Sequence, residues 1–243
     1  GTQLGYRFAE SYAVTLAGLG QTSQAVAFLQ KVLGPVQRRE REWWDRLRLL
    51  IGIIGDKSRA GAGRDALGQL AENGNNRERQ RQAIQILAAE SAREPERGHF
   101  RALLKRLIEL KPDHAIKETL LFFRAQLALT EKDFALAEED AGALLNQFPL
   151  SPLRAHAFGV LTQSAWEQRR FRQAADYARK ARGALQVPGT ATSPRPGQEA
   201  MVARARADFH VLEAEAWFRA GLATGDPNQF RLAADAYAAV LRE

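Results

Sequence analysis

Apolar residues in this chain recur three and four positions apart, in blocks of roughly twelve to fifteen residues separated by short polar breaks. The clearest blocks lie between residues 118 and 186. ETLLFFRAQLALTEKDFALAEEDAGALLNQFP (118–149) is followed there by AHAFGVLTQSAWEQRRFRQAADYARKARGALQ (155–186). Phe134 matches Phe171, Ala137 matches Ala174, Ala141 matches Ala178, and Leu144 matches Ala181, each pair 37 residues apart. Self-similarity at this period predicts stacked helix pairs.

Both copies share one internal logic. An apolar helix comes first, then a tight polar turn: Thr130-Glu131-Lys132-Asp133 in one, Glu167-Gln168-Arg169-Arg170 in the other. An aromatic then opens a second helix. The alanines that follow lie on one stripe, where small side chains let two helices approach closely. Pro149 closes the first copy, because proline cannot continue a helix.

The same spacing predicts four further pairs. In 6–35, Phe8, Tyr12 and Leu16 mark one helix face, and Gly18 and Gly20 bracket the turn before Ala25, Leu29 and Val32. In 37–74, Trp43, Leu47, Leu50 and Ile54 share a face, and a glycine-rich linker KSRAGAG precedes a shorter helix with Ala66, Leu67 and Leu70. In 77–112, Ala83, Ile84 and Leu87 precede Phe100, Leu103, Leu104 and Leu107, and Pro112 closes the pair. In 201–243, Phe209, Leu212, Ala216 and Trp217 precede Phe230, Ala233, Tyr237 and Val240. Pairs four and five are 117–149 and 155–186. Between five and six, residues 187–200 hold three prolines and two glycines. That composition predicts an exposed loop insertion. Its Pro194-Arg195-Pro196 is also readable as a partner-binding segment. The chain opens on Gly-Thr-Gln and closes inside a helical pattern, as a piece of a longer protein would.

These residues resemble the tetratricopeptide repeat (TPR) family. Leu121, Ala125, Phe134, Ala137, Leu144 and Pro149 fit its pattern in the first copy; Phe158, Leu161, Phe171, Ala174 and Ala181 fit in the second, with Gln186 in place of the proline. The first pair fits as well, with Thr22 in place of the aromatic. The resemblance implies an all-α fold: a right-handed superhelical array of about six antiparallel helix pairs, a TPR-like α-solenoid forming one repeat domain over 1–243. It also resembles, mainly over 118–186, repeats of bacterial cell-envelope TPR proteins.

Charge and composition narrow the functional classes. Net charge is +7, with acidic residues concentrated in 111–150. Most basic residues have an acidic neighbour, as on a solvated helical surface. A nucleic-acid reading would rest on Arg169, Arg170, Arg172, Arg179, Lys180 and Arg182, with Arg77, Arg79 and Arg81 as a second patch. These clusters lack interleaved aromatics for base stacking. Cysteine is absent, which excludes disulfides, thiol catalysis and Cys-ligated metals. A bacterial periplasm or cell envelope suits such a chain better than the cytoplasm. No apolar run is long enough to span a membrane.

No catalytic constellation is visible. His99, His114, His156 and His210 do not sit at metal-ligand spacing. There is no phosphate-binding loop and no nucleophile elbow. Glu138-Glu139-Asp140 reads as a solvated acidic face, since adjacent helical positions splay apart. The chain therefore reads as a non-enzyme with no cofactor and no metal. In TPR arrays the first helix of each pair lines the concave groove. By that resemblance the lining is Thr119, Phe122, Phe123, Gln126 and Leu129 in pair four, and His156, Gly159, Val160, Gln163 and Trp166 in pair five. Helix 117–130 is apolar nearly all round, which indicates a covered or partner-binding face. The expected function is a protein-interaction scaffold that holds a peptide or helix in this groove. The alternative is a basic helical surface that binds nucleic acid or another polyanion.

Overall fold

The structure, a computed structural model, describes residues 3–34, 36, 40–55, 61–185 and 198–241. Among these residues there are twelve α-helices and no strand. They are α1 (Gln3–Gly18), α2 (Thr22–Leu33), α3 (Arg41–Gly55), α4 (Ala62–Asn73), α5 (Arg77–Glu90), α6 (Glu96–Leu110), α7 (Lys117–Thr130), α8 (Phe134–Gln147), α9 (Arg154–Glu167), α10 (Phe171–Ala184), α11 (Gln198–Thr224) and α12 (Pro227–Val240). The fold is an all-α array of consecutive helix pairs of the TPR-like solenoid class. Its contacts form two compact units, Gly1–Leu120 and Leu121–Glu243.

Helix reversal follows one recipe three times. Gly20, Lys132 and Arg169 adopt left-handed backbone, with φ of 79°, 62° and 59°. At each turn the left-handed residue donates its amide to the carbonyl three residues back, and the next residue donates to the carbonyl five back. The pairs are Gly20 to Ala17 and Gln21 to Leu16, Lys132 to Leu129 and Asp133 to Ala128, and Arg169 to Trp166 and Arg170 to Ala165, all within 2.8–3.1 Å. These bonds satisfy the last carbonyls of the incoming helix. The turn therefore fixes the register between the two helices of a pair.

In the first unit α1 packs on α2 and α3, α3 on α4 and α5, and α5 on α6. A helix thus meets both its partner and the first helix of the next pair. Tyr6, Ala13, Leu16, Ala25, Leu29, Leu47 and Ile51 form the core of the first two pairs. Gly55 lies at a close backbone crossing of α3 and α4: a Cβ there would stand 2.8 Å from the Gly63 Cα. Asp45, which sequence reading did not single out, is fully buried. Its carboxylate accepts the backbone amides of Asn75 and Asn76, the latter at 2.8 Å, and so anchors the start of α5.

In the second unit α8 packs on α9, α9 on α10, α10 on α11, and α11 on α12. Alanines make the contacts: Ala137, Ala141, Ala174, Ala178 and Ala181 are buried, as the stripe predicts. Ala165, Ala174, Ala175, Ala216, Trp217, Ala220 and Ala233 form one cluster, flanked by Trp166, Phe171 and Tyr177.

Three expectations are corrected here. In α1 the buried face is Tyr6, Ala9, Ala13 and Leu16, whereas Phe8 and Tyr12 are exposed. In α12 the buried residues are Gln229, Ala233 and Ala236, so Tyr237 points outward rather than into the core. And α11 begins at Gln198 and runs 27 residues, so residues 198–200 are helix, not loop. The rest of the expected loop, including Pro194-Arg195-Pro196, and residues 57–60 of the KSRAGAG linker lie outside the described residues.

Left-handed backbone costs a side-chain-bearing residue about 1–2 kcal/mol, while glycine loses more entropy on folding. Lys132→Gly and Arg169→Gly should therefore each raise unfolding free energy by roughly 0.5–1 kcal/mol. Urea titration reads this directly, and a loss of stability in both variants would contradict the turn assignment.

Candidate protein-interaction face

The first helix of each pair shows only a narrow exposed line in the middle of the chain. On α7 the exposed residues are Gln126 and Thr130, and Phe123 is half-buried. On α9 they are His156, Gln163 and Glu167, with Gly159 half-buried between them. Gln126 and Gln163 occupy the same repeat position, 37 residues apart. The other carried-over positions are buried or half-buried. Thr119 is buried on the first-unit part of α7, and Phe122 and Val160 are buried on the second unit. Leu129 is half-buried. Trp166 is half-buried with its ring edge-to-face on Phe171, 5.4 Å between centroids. The apolar excess of α7 is thus largely covered by its own neighbours.

Packing between first helices shapes this line. The Phe122 ring lies edge-to-face with His156 at 5.7 Å and beside Phe123 at 5.2 Å. Partial burial against these rings holds the His156 imidazole below its ordinary pKa, which favours the neutral form. Gly159 does not open a void for a ligand. Phe209 of α11 takes the space, its ring 3.3 Å from where a Cβ would stand. Gln163 donates to Glu167 at 2.8 Å.

Polar bonds lock the pairs together behind this face, and sequence reading missed most of them. Asp140 is buried, and Arg124 donates to both its oxygens at 2.6 and 2.7 Å. Burial raises the Asp140 pKa, opposed by the Arg124 guanidinium. Glu138 reaches into the next pair. It accepts from Ser164 at 2.5 Å, from Gln168 at 2.8 Å and from Arg170. Burial alone would raise its pKa; the Ser164, Arg170 and Gln168 hydrogen bonds outweigh it and hold the carboxyl low. The run Glu138-Glu139-Asp140 is therefore no solvated acidic face: only Glu139 is exposed. Buried Glu213 of α11 takes Arg182 at 2.9 Å and Arg179 at 3.6 Å.

The first unit uses the same device at repeat spacing. Arg46 of α3 grips Glu10 of α1 through two bonds of 2.8 Å. Arg79 of α5 lies 3.8 Å from Glu42 of α3, and Arg81 bonds Glu118 of α7 at 2.7 Å. Five of the nine basic residues named for the nucleic-acid reading (Arg79, Arg81, Arg170, Arg179 and Arg182) are thus engaged in ion pairs. An open cleft of about 510 Å³ between α4, α5 and α6 has paired charges too, Arg64 with Glu96 and Arg106 with Glu72. His114 is buried near Lys111; desolvation and that charge lower its pKa. Among the described residues no group of three His, Asp or Glu side chains could hold a metal ion.

These features define the protein as a TPR-like helical repeat protein. No family model matches the chain, and no curated protein matches it. A solved structure of PilW, a "widely conserved type IV pilus biogenesis factor", is similar over all of this chain and 94% of its own, with a TM-score of 0.53 and 14% identity. At that identity the likeness concerns the fold. Among the described residues no helix is long and apolar enough to cross a membrane.

Removing one partner of a buried ion pair costs about 3–5 kcal/mol, whereas replacing both by apolar residues is often neutral. Asp140→Ala should accordingly lose roughly 3–5 kcal/mol in denaturant unfolding. Arg124→Met/Asp140→Leu should stay within about 1 kcal/mol of wild type. Equal losses in both variants would show that the pair itself stabilises the fold.

Proposed function

We propose that this chain is a non-catalytic protein-interaction scaffold of the bacterial cell envelope. A peptide or helix of a partner protein lies along the first-helix face of α7 and α9. The observation that carries this reading is the matched exposure of Gln126 and Gln163 one repeat apart. These amides stand next to Phe123 and His156, and neither helix needs them for its own packing. Amides spaced along a groove can bond a partner backbone, while an aromatic edge takes an apolar side chain. Phe122, Val160 and Trp166 hold the presenting helices in place, and Gly159 lets Phe209 brace α9 from α11.

The likeness to PilW supports an envelope setting and a role in building an assembly. The paired state of most basic residues in the two clusters weighs against the polyanion reading. A neutralised guanidinium releases few counterions on meeting phosphate.

The test is capture of partners from an envelope fraction of the source bacterium, wild type beside Gln126→Lys/His156→Glu/Gln163→Lys. All three side chains are exposed, so the helical circular dichroism should be unchanged. A protein held by wild type in both 0.1 and 0.5 M salt, roughly a twofold change in screening length, and lost by the variant is the expected result. Equal capture by both proteins would remove the face from consideration. Nucleic acid retained only at low salt would favour the polyanion reading.

A further inference from the structure

His114 joins two elements that are far apart in sequence. It sits in the short stretch between α6 and α7 and is buried. Its ring hydrogen-bonds the Ala71 and Glu72 carbonyls in the last turn of α4. Its Nδ1 accepts the Ile116 amide at 3.3 Å. Nδ1 can accept only while it carries no proton, so the ring is the neutral tautomer with its proton on Nε2, the nitrogen left to donate to α4. Ile116 stands just before α7 and is fully buried. Its carbonyl takes the Thr119 and Leu120 amides, at 2.9 and 3.1 Å, and so opens the helix. An isoleucine has no side-chain oxygen with which to cap the amides of that first turn. The neutral imidazole therefore ties the entry of α7 to the exit of α4, and all of these residues belong to the first unit.

The groups around the ring do not favour a second proton. Lys111 acts on it as a positive charge, fixed in place because its Nζ donates to the Glu72 carbonyl at 2.9 Å and to the Asn73 side chain at 3.2 Å. The Glu72 carboxylate pulls the other way, but Arg106 holds it at 3.0 Å and Lys111 at 3.7 Å. From α5 comes the neutral Gln80, which donates to the Ala71 carbonyl at 3.1 Å. Buried Asp45 of α3 is bonded to the Asn75 and Asn76 amides, and Glu118 of α7 to Arg81. Asp113 is exposed and Lys117 half-buried on either side in the chain. A proton on Nδ1 would face the Ile116 N–H, and the imidazolium would be buried in the field of Lys111. The charged ring is accommodated only by leaving its place for water.

We propose that His114 is an acid-sensitive latch: neutral, it fastens the first turn of α7 to the last turn of α4, and protonated, it lets that turn go. Burial, and then the Lys111 charge, hold its pKa below the ordinary value. As pH falls, the unfolded chain therefore takes up the proton before the folded one. The latch is complete above about pH 6.5 and is lost as pH drops through the folded value. The device needs no surface of the α7–α9 exposed line and does not rest on the function proposed above.

Amide hydrogen exchange of the 243-residue chain, followed by nuclear magnetic resonance from about pH 7.5 down to about pH 4.5, tests this beside the titration of the His114 ring itself. After correction for intrinsic exchange, protection of the Ile116, Thr119 and Leu120 amides should fall at least about tenfold. The fall should share its midpoint with the His114 ring signals. His114→Asn is the control. Its side-chain oxygen can still accept the amide two residues on and does not titrate, so the response should vanish although His156 still titrates. Ring titration without loss of protection would overturn the proposal. So would a loss that persists in His114→Asn, or one whose midpoint differs from that of the ring. If the Asn variant does not fold, the comparison of midpoints in the wild type decides alone.

Discussion

Close approach between helices is the constraint on which the rest of this structure depends. At Ala137, Ala141, Ala174 and Ala178 the second helix of a pair offers only methyl groups, all buried. Larger side chains there would push the first helix outward and break the register set by the turns. The left-handed residue at each turn then decides which face of the first helix meets its partner. The narrow exposed line on α7 and α9 is what that geometry leaves over.

Apolar contacts between alanines are small, so shape alone specifies stacking between pairs only weakly. Charged and amide groups add the missing specificity. Asp45 anchors the start of α5, Glu138 joins α8 to α9 and α10, and Glu213 joins α11 to α10. Each carboxylate is wholly or partly withdrawn from water and would cost free energy if a mis-stacked pair left it without its donors. Such groups penalise wrong neighbours more than they stabilise right ones. Glu138 and Glu213 also occupy three of the chain's arginines, Arg170, Arg179 and Arg182.

The helix pairs were legible because their period, turns and alanine stripe all repeat at 37 residues in the best copies. Legibility failed where a residue's fate depends on a neighbour far along the chain. Phe8 and Tyr12 sit at positions that later pairs bury, yet α1 has no preceding pair on it among the described residues. Pattern alone cannot show that. Glu138, Glu139 and Asp140 are adjacent in sequence but point to three different surroundings: the next pair, solvent and Arg124. Their very splaying should have been the signal that each needed its own reading. Gly159 was legible as a groove position but not as one filled by Phe209, fifty residues away in sequence. Of the α7–α9 face, Gln126 and Gln163 were readable from repeat position alone. The burial of Phe122 and Val160 depends on how tightly α7, α9 and α11 pack side by side.

The central claim is that the exposed line of α7 and α9 is where a partner protein rests. Site-specific photocrosslinking in the living source cell tests it most directly. A photoreactive residue would be placed singly at Gln126, at Gln163, and at exposed Arg172 on α10 as a control. The account predicts one common adduct from 126 and 163 and none from 172. An adduct from 172 with none from the other two positions would contradict it.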